Sequence, residues 1–440
     1  MGLFGSSGIR GVVNDMMTPE LVLKAGKALG LINKRIVVGR DPRTSGQMLE
    51  NALISGLLAE GARVTRVGLV STPTLAHAAR DYDCGVMITA SHNPSEYNGL
   101  KFWNPDGMAF SLKQQDELER LIESDIKGVS WKAMGTETTR HDAVLNHIDA
   151  ILRNVEHRSL KVVVDCGCGA ASTITPYVLR EMGCSVIALN AQPDGFFPAR
   201  DPEPIDENLS ELKKTVVSSG ASLGIAHDGD ADRMMAVDDR GRFVTGDELL
   251  AYFCKSEVKR SLVCPVDVSM MVERAVNGAR IYRTRIGDAF VSEEAKRTGA
   301  DFGAETSGTW IFPKISYCPD GIYAAAKLVE LVSKNGKLSD SIDGLPKYPL
   351  KRGGVKFSHG VDKAKAMELI KAEMNTGEAK DVNALDGLRI DYRDGWVLVR
   401  PSGTEPKIRI TAEAEDVSGL EKLYAGAESI VKRCVKTCEQ

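Results

Sequence analysis

Residues 35–41 read RIVVGRD, a short run of β-branched side chains that ends in Gly-Arg-Asp. Two similar runs come later in the chain, KVVVDCG at 161–167 and SLVCPVD at 261–267. Each run is apolar over a few residues and ends in Asp, Gly or Pro, which is typical of a parallel strand covered by helices on both faces. The three runs therefore predict the central strands of three α/β units.

A helical pattern and a second strand follow each run. After the first, four leucines between residues 49 and 58 share one helix face, and Gly61 ends the helix. Gly183 and Gly278 occupy the same place after the second and third runs. This repeat, with a spacing of about 100 to 125 residues, predicts three related α/β domains with mainly parallel mixed sheets.

The pattern changes near Leu350. A helical stretch, DKAKAMELIKAEMN, precedes two alternating strands that flank Asp394-Gly395, a strong hairpin signal, and an amphipathic stretch ends the chain. These features predict a smaller C-terminal α+β domain. We expect domains at 1–150, 151–255, 256–348 and 349–440, with the ligand-binding loops in a cleft between them.

Composition limits the classes of partner. The net charge is −4 and no dense Lys/Arg run occurs, so we expect no nucleic-acid binding and favour a small soluble substrate. Nine cysteines without a Cys-x-x-Cys pair argue against a disulfide framework and a structural zinc site. No apolar run approaches the roughly 20 residues that span a bilayer. We therefore expect a cytoplasmic protein that binds no membrane.

The stretch ITASHNPSEYNGLKF, residues 88–102, contains Ser91, His92 and Lys101. Ser91 follows an apolar run, and the carboxyl ends of strands are where α/β proteins bind their ligands. A serine hydroxyl becomes a nucleophile when a neighbour accepts its proton, which His92 or Lys101 can do. Ser, Asn and Pro also favour plain turns, so the motif alone leaves a turn open.

A second motif, AHDGDADRMMAV, carries Asp228, Asp230 and Asp232 at alternate positions. Side chains with this period point to the same side of an extended segment and can converge on one hard cation. An EF-hand loop needs Gly and Glu where this chain has Arg233 and Asp239. The motif therefore predicts part of a Mg²⁺ site that water or phosphate oxygens complete, with Arg233 beside it for a further anion.

Three further stretches can bind anions or sugar hydroxyls. The turn RPSGTEPKIRI combines backbone amides, hydroxyls and cations that suit a phosphate, through Arg400, Ser402, Gly403, Thr404 and Arg409. GAETSGTWIF places Glu305 and Ser307 in a Gly-flanked loop suited to sugar hydroxyls. In FGSSGIRG, Arg10 lies in a Gly- and Ser-rich loop of a kind that contacts phosphate.

In this order, FGSSGIRG, TASHNPSEYNGLK, DGDADR, GAETSGT and RPSGTEPK resemble the motifs of the α-D-phosphohexomutase superfamily, over the whole chain and most closely its archaeal-type phosphoglucosamine mutases. The resemblance implies three α/β domains and a TATA-binding-protein-like fourth domain around a central cleft. It implies one Mg²⁺ ion, a hexose or hexosamine 1,6-bisphosphate activator, and a monomer or homodimer acting on a small phosphosugar.

The resemblance also implies residue roles. Ser91 would be the phosphoserine and, with Asp228, Asp230 and Asp232, a metal ligand, while Arg10, His92, Lys101 and Arg233 would surround it. The substrate would be bound by Gly287, Asp288, Glu305, Ser307, Arg400, Ser402, Gly403, Thr404 and Arg409. Many members have His where this chain has Thr309.

The implied reaction interconverts glucosamine 6-phosphate and glucosamine 1-phosphate through a phosphoserine and a bisphosphate intermediate. Two alternatives stay open at this point. One is the same chemistry on mannose or glucose phosphates, and the other is a non-catalytic protein that binds sugar phosphates.

Overall fold

Four β-sheets follow one another along the chain. The structure, a computed structural model, describes residues 2–5, 8–358, 362–374, 376–402 and 406–439. The first three sheets mix parallel and antiparallel strands, and the fourth is antiparallel. Within these ranges, no helix has both the length and the apolar character needed to cross a membrane.

The first sheet has helices on both faces. Its strands are β1 (Phe4–Gly5), β2 (Gly8–Val12), β3 (Arg35–Arg40), β4 (Arg63–Leu69), β5 (Cys84–Ile88), β6 (Tyr97–Trp103) and β7 (Thr136–Thr139). Its helices are α1 (Pro19–Ile32), α2 (Gly46–Ala59), α3 (Thr72–Ala78), α4 (Leu112–Ile122) and α5 (Ala143–Leu152). Ile36 and Val38 pack with α1, α2 and α4, whereas Val37 packs with α3 and α5 on the opposite face. This explains why β3 is continuously apolar.

The second and third sheets share one continuous core. The second contains β8 (Lys161–Asp165), β9 (Ser185–Leu189), β10 (Leu223–His227), β11 (Met234–Asp238) and β12 (Phe243–Val244), with α6 (Thr175–Glu181) and α7 (Ser210–Ser219). The third contains β13 (Ser261–Pro265), β14 (Arg280–Thr284), β15 (Phe302–Glu305) and β16 (Thr309–Ile311), with α8 (Gly246–Glu257), α9 (Met270–Ala275), α10 (Asp288–Thr298), α11 (Gly321–Asn335) and α12 (Leu338–Asp343).

One four-stranded unit recurs in all three sheets. Its strand orders are β4-β3-β5-β6, β9-β8-β10-β11 and β14-β13-β15-β16. In each unit the first three strands are parallel and the last is antiparallel to its neighbour. The expectation of three related α/β domains is confirmed at the level of topology.

The fourth sheet belongs to the predicted α+β unit. Its elements are β17 (Leu350–Lys356), α13 (Lys363–Glu373), β18 (Asp381–Asn383), β19 (Leu388–Asp391), β20 (Gly395–Pro401), β21 (Lys407–Ala414) and α14 (Val417–Glu439). The strand order is β17-β21-β20-β19-β18, and the predicted hairpin joins β19 to β20, where Asp391 pairs with Trp396. The buried Arg389 donates to the carbonyl oxygen of Val266 at 2.6 Å and so ties this sheet to the third domain.

The division at residues 150, 255 and 348 stays a prediction. Helix α8 ends near the predicted boundary at residue 255. It packs against helix α9 and against strand β15 of the third sheet.

Candidate active site

The site is built on equivalent turns of the three repeated units. The serine turn (residues 89–96) joins β5 to β6, and the acidic turn (228–233) joins β10 to β11. The glutamate turn (305–309) joins β15 to β16 and includes the last residue of β15 and the first of β16. The sequence motifs are unlike one another, and the equivalence of the three turns appears only in the topology. Because each turn follows the third parallel strand of its unit, the turns can meet at one cleft.

Ser91 lies at the bottom of this cleft. It is 2% exposed, and its φ of +53° is in the left-handed region, which is uncommon for a residue other than glycine. Its hydroxyl donates to Oδ2 of Asp228 at 2.7 Å. The Nδ1 atom of His92 lies 3.4 Å from the same hydroxyl oxygen. The predicted nucleophile and two predicted neighbours are therefore brought together.

The acidic turn gathers three buried carboxylates whose oxygens lie within 4.8 Å of one another. Lys101 neutralises part of this charge, with its Nζ 2.7 Å from Oδ2 of Asp230 and 2.5 Å from Oδ2 of Asp232. Burial and the two neighbouring carboxylates raise the pKa of Asp228 well above its ordinary value. The ammonium of Lys101 and the nearby guanidinium of Arg233 thus leave the three carboxylates short of positive charge.

A divalent cation fits this cluster. The buried Oδ1 of Asp230 has no hydrogen-bond partner among the described residues, and a buried carboxylate oxygen without a partner is costly. Three hard oxygen donors on one turn are the ligand type that Mg²⁺ takes, with water or phosphate oxygens completing the shell. The structure thus brings the three predicted aspartates together, and their role as metal ligands stays a prediction.

Thr72 is a neighbour of the cluster that sequence reasoning missed. Its hydroxyl donates to Oδ2 of Asp230 at 2.6 Å, and its backbone N–H donates to the carbonyl oxygen of Asp230 at 2.9 Å. Thr72 begins helix α3, after the cap residue Ser71. The available signal, the cap sequence Ser-Thr-Pro, indicates a helix start and says nothing about a distant carboxylate.

Residues of the first three domains line one cavity of about 210 Å³. Its lining is Arg10, Ser91, Lys101, Asp232, Arg233, Ile286, Gly287, Asp288, Glu305, Ser307 and Thr309. Burial and the cations Arg233, Arg10 and Lys101 lower the pKa of His92 to about 2. The imidazole is therefore neutral, and the cations nearby suit a bound anion.

Glu305 is buried on the third-domain side of the cavity. Its Oε1 accepts a hydrogen bond from the backbone N–H of Gly287 at 2.6 Å, which links the two predicted sugar-binding segments. Burial, with the nearby carboxylate of Asp288, raises its pKa to about 7. Thr309 is 3% exposed, its hydroxyl lies 3.4 Å from that of Ser307, and it faces the cavity.

The fourth-domain motif is described only in part. Gly403 and Thr404 lie outside the described residues. Arg400 and Arg409 are cross-strand neighbours on β20 and β21, and Ser402 follows β20. None of these three lines the 210 Å³ cavity, so a role for them in substrate binding stays a prediction.

Models of four families match consecutive parts of the chain. They are phosphoglucomutase/phosphomannomutase alpha/beta/alpha domain I at residues 1–129, domain II at 142–241, domain III at 245–348 and the C-terminal domain at 361–427. The chain belongs to the phosphoglucomutase/phosphomannomutase family, within the α-D-phosphohexomutase superfamily.

Several relatives resemble the chain over all or nearly all of its length. A probable phosphoglucosamine mutase of Methanocella arvoryzae is 74% identical over 440 residues, covering 100% of both chains. Another probable phosphoglucosamine mutase, from Methanosarcina barkeri, is 57% identical over 99% of this chain and 100% of that one. Among solved structures, a phosphoglucomutase/phosphomannomutase family protein of Burkholderia thailandensis has a TM-score of 0.88 at 27% identity, covering 99% of this chain and 97% of that chain.

Proposed function

We propose that this phosphohexomutase is an isomerase that interconverts glucosamine 6-phosphate and glucosamine 1-phosphate. The single observation that carries the proposal is the position of the Ser91 hydroxyl, 2.7 Å from Asp228 and at the wall of a cavity with cationic side chains. A hydroxyl placed between a metal-binding cluster and an anion-binding cavity is suited to carry a phosphoryl group. The names of the full-length relatives support glucosamine as the sugar.

In the first half-reaction, phospho-Ser91 transfers its phosphoryl group to the free hydroxyl of the sugar monophosphate. The bond between serine Oγ and phosphorus breaks, and a bond from the sugar oxygen to phosphorus forms. The hydroxyl proton passes to a basic group. His92, whose imidazole is neutral, can accept it, whereas Lys101 is an ammonium between Asp230 and Asp232 and would serve as the acid. The product is a hexosamine 1,6-bisphosphate and a free serine.

In the second half-reaction, the bisphosphate reorients and its other phosphoryl group returns to Ser91. The serine oxygen attacks, the sugar oxygen leaves, and the proton is given back. No phosphate is consumed over the cycle, which fits an isomerase. A bisphosphate added from outside would phosphorylate an unmodified Ser91 and so act as an activator.

The charge of the transferring group is balanced by the chain and by a metal. Mg²⁺ would be held by Asp228, Asp230, Asp232 and a phosphate oxygen on Ser91, and when bound it supplies positive charge against the phosphoryl oxygens. Arg10 and Arg233 line the same cavity and can contact those oxygens directly.

The rest of the substrate would lie towards the third and fourth domains. Glu305 and Ser307, with the segment at Gly287 and Asp288, are placed to accept and donate hydrogen bonds to sugar hydroxyls. The non-reacting phosphate would bind the fourth-domain motif through Arg400, Ser402, Gly403, Thr404 and Arg409. Two separate anion sites are what a reaction through a bisphosphate requires.

A side-by-side assay tests the sugar. Enzyme activated with glucose 1,6-bisphosphate is supplied with glucosamine, mannose or glucose 6-phosphate, and formation of the 1-phosphate is followed by phosphorus NMR. The expected result is the highest kcat/KM for glucosamine 6-phosphate. A higher value for mannose or glucose phosphate would favour the second candidate function, the same reaction on those sugars. The description of the matching family and the name of the Burkholderia protein support this candidate. Failure to turn over any of the three would remove the proposal.

A further inference from the structure

The side chain of Arg43 lies beneath the serine turn and binds its backbone. Arg43 is 1% exposed and does not line the 210 Å³ cavity, although its sequence, GRDPRTSG, fits either a loop that contacts phosphate or a plain turn. Its guanidinium instead donates to four backbone carbonyl oxygens, those of Ser91 at 2.9 Å, Asn93 at 2.6 Å, Pro94 at 2.5 Å and Tyr97 at 2.9 Å. One planar cation thereby fixes almost the whole turn that carries the hydroxyl.

A second set of hydrogen bonds fixes the other side of Ser91. Asp41 accepts from Nε of Arg43 at 3.1 Å and from the hydroxyl of Thr89 at 2.6 Å. The Thr89 hydroxyl in turn accepts from the backbone N–H of Ser91 at 2.9 Å. The N–H and the C=O of Ser91 are therefore both held by one buried network, which accounts for its left-handed backbone conformation.

The second domain supplies the contact that covers this network. The ring centroid of Phe197 lies 5.0 Å from Cζ of Arg43, within the range of a cation–π interaction. The backbone at Gly195 comes so close that a β-carbon there would lie 2.3 Å from the carbonyl oxygen of Pro42. Phe197 is 6% exposed and, at φ +52°, is itself in the left-handed region.

Phe197 also borders the acidic turn. A β-carbon at Gly229 would lie 2.5 Å from the carbonyl oxygen of Ser91 and 3.4 Å from Cζ of Phe197. Gly229 stands between Asp228 and Asp230. Gly229 of the acidic turn thus lies close to both the serine turn and the ring, so displacement of the ring would change the distance between Ser91 and the cluster.

We propose that Arg43 and Phe197 are positioning residues that hold Ser91 at the distance from the acidic turn that phosphoryl transfer needs. Arg43 fixes the turn from the first domain, and Phe197 fixes Arg43 from the second. Neither side chain borders the cavity, so they act on transfer and leave sugar binding unchanged. The inference rests on the proposed mutase function and adds two residues to it.

The test compares Phe197→Leu with the wild-type enzyme. Leucine keeps much of the apolar volume and removes the aromatic face, so kcat should fall about tenfold. The KM for the sugar monophosphate should stay within about twofold, because the sugar-binding residues are untouched. The rate at which glucose 1,6-bisphosphate phosphorylates Ser91, followed by intact mass, should fall in parallel with kcat.

Tyr177→Leu is the matched control. Tyr177 packs its ring 6.0 Å from Cζ of Arg180 in the second domain and is 53% exposed, so it is a cation–π pair away from the cavity. Its kcat should equal that of wild type. Arg43→Lys is the second variant, since lysine keeps the charge but cannot reach four carbonyls at once, and it should reproduce the fall in kcat at unchanged KM.

The outcomes separate the two proposals. If Phe197→Leu has the same kcat and phosphorylation rate as wild type, the positioning role is overturned while the mutase function stands. A rise in KM equal to the loss of kcat/KM overturns it too, since that result places Phe197 in substrate binding. If the wild-type enzyme isomerises no hexose phosphate, the proposed function falls and the inference falls with it.

Discussion

The hydroxyl of Ser91 lies 2.7 Å from Oδ2 of Asp228, although 137 positions separate the two residues in sequence. Each residue stands on the same turn of its own α/β unit, after the third parallel strand. The repeated topology therefore places different side chains on two equivalent loops, a hydroxyl on one and three carboxylates on the other. The third copy of the turn supplies Glu305 and Ser307.

Replacing Ser91 tests directly whether its hydroxyl carries the phosphoryl group. Ser91→Ala removes the oxygen that would carry the phosphoryl group, so turnover should fall by at least about a thousandfold, the order lost when a covalent nucleophile is removed. Intact mass after incubation with glucose 1,6-bisphosphate should show no added phosphate. Ser95→Ala, in the same turn, is the control and should keep both the wild-type turnover and the phosphorylation by glucose 1,6-bisphosphate. Turnover at the parental rate in Ser91→Ala would rule out the phosphoserine.

The hydroxyl of Thr72 should tune metal affinity. Thr72→Val keeps the shape of the side chain and removes the 2.6 Å hydrogen bond to Asp230, so the carboxylate is less well oriented. Loss of such an orienting partner typically weakens metal binding about 10- to 100-fold. Titration calorimetry with Mg²⁺ measures this without any turnover. Thr72→Ser should bind nearly as wild type, and equal affinity in Thr72→Val would show that the hydrogen bond has no such role.

Glu305 should make stability depend on pH. Its pKa in the folded chain is about 7, against an ordinary value of 4.5. Below pH 4.5 the carboxyl is protonated in both states. Between these values the unfolded chain releases the proton and the folded chain keeps it, so the free energy of unfolding falls with rising pH, by roughly 3 kcal/mol in all.

Glu305→Gln should abolish this slope. Urea unfolding at pH 5, 6, 7 and 8 should show the unfolding free energy of the variant increasing relative to that of wild type as pH rises. The full difference should be reached above pH 7. The exposed Glu293, on helix α10, provides the control Glu293→Gln, which should follow wild type at every pH. A constant difference between Glu305→Gln and wild type would contradict the raised pKa.

Sequence patterns predicted the parts of the molecule that depend on local chemistry. The run at 35–41 and the Asp394-Gly395 turn were identified correctly because strand burial and hairpin turns are determined by neighbouring residues. The three aspartates do converge, but on a turn in which Ala231 has a φ of +61°, and not on the extended segment that their alternate spacing predicts. The structural features that the sequence patterns did not predict depend on contacts between segments distant in sequence.

Arg43 and Thr72 illustrate this limit. Arg43 lies in a motif that suits phosphate, yet its guanidinium faces backbone carbonyls 48 to 54 positions away in sequence. Thr72 has the pattern of a helix start, yet its hydroxyl meets a carboxylate 158 positions away. Neither partner can be identified from periodicity, because tertiary packing decides it, within the first domain for Arg43 and between the first and second domains for Thr72.

Lys101 should couple stability to Mg²⁺. Its ammonium lies between Asp230 and Asp232 and is 2% exposed, so Lys101→Met leaves buried carboxylates without their cation. Removing one partner of a buried ion pair typically costs about 3 to 5 kcal/mol. In EDTA the variant should therefore unfold at a much lower urea concentration than wild type.

Added Mg²⁺ should restore part of this loss, because a divalent cation among the three aspartates replaces the missing positive charge. The gain in unfolding free energy on adding Mg²⁺ should be larger for Lys101→Met than for wild type. Lys296→Met serves as the control, since Lys296 pairs with Asp106 at the surface and its loss should cost little in either buffer. An equal Mg²⁺ response in Lys101→Met and wild type would mean that the ammonium and the metal do not share the acidic turn.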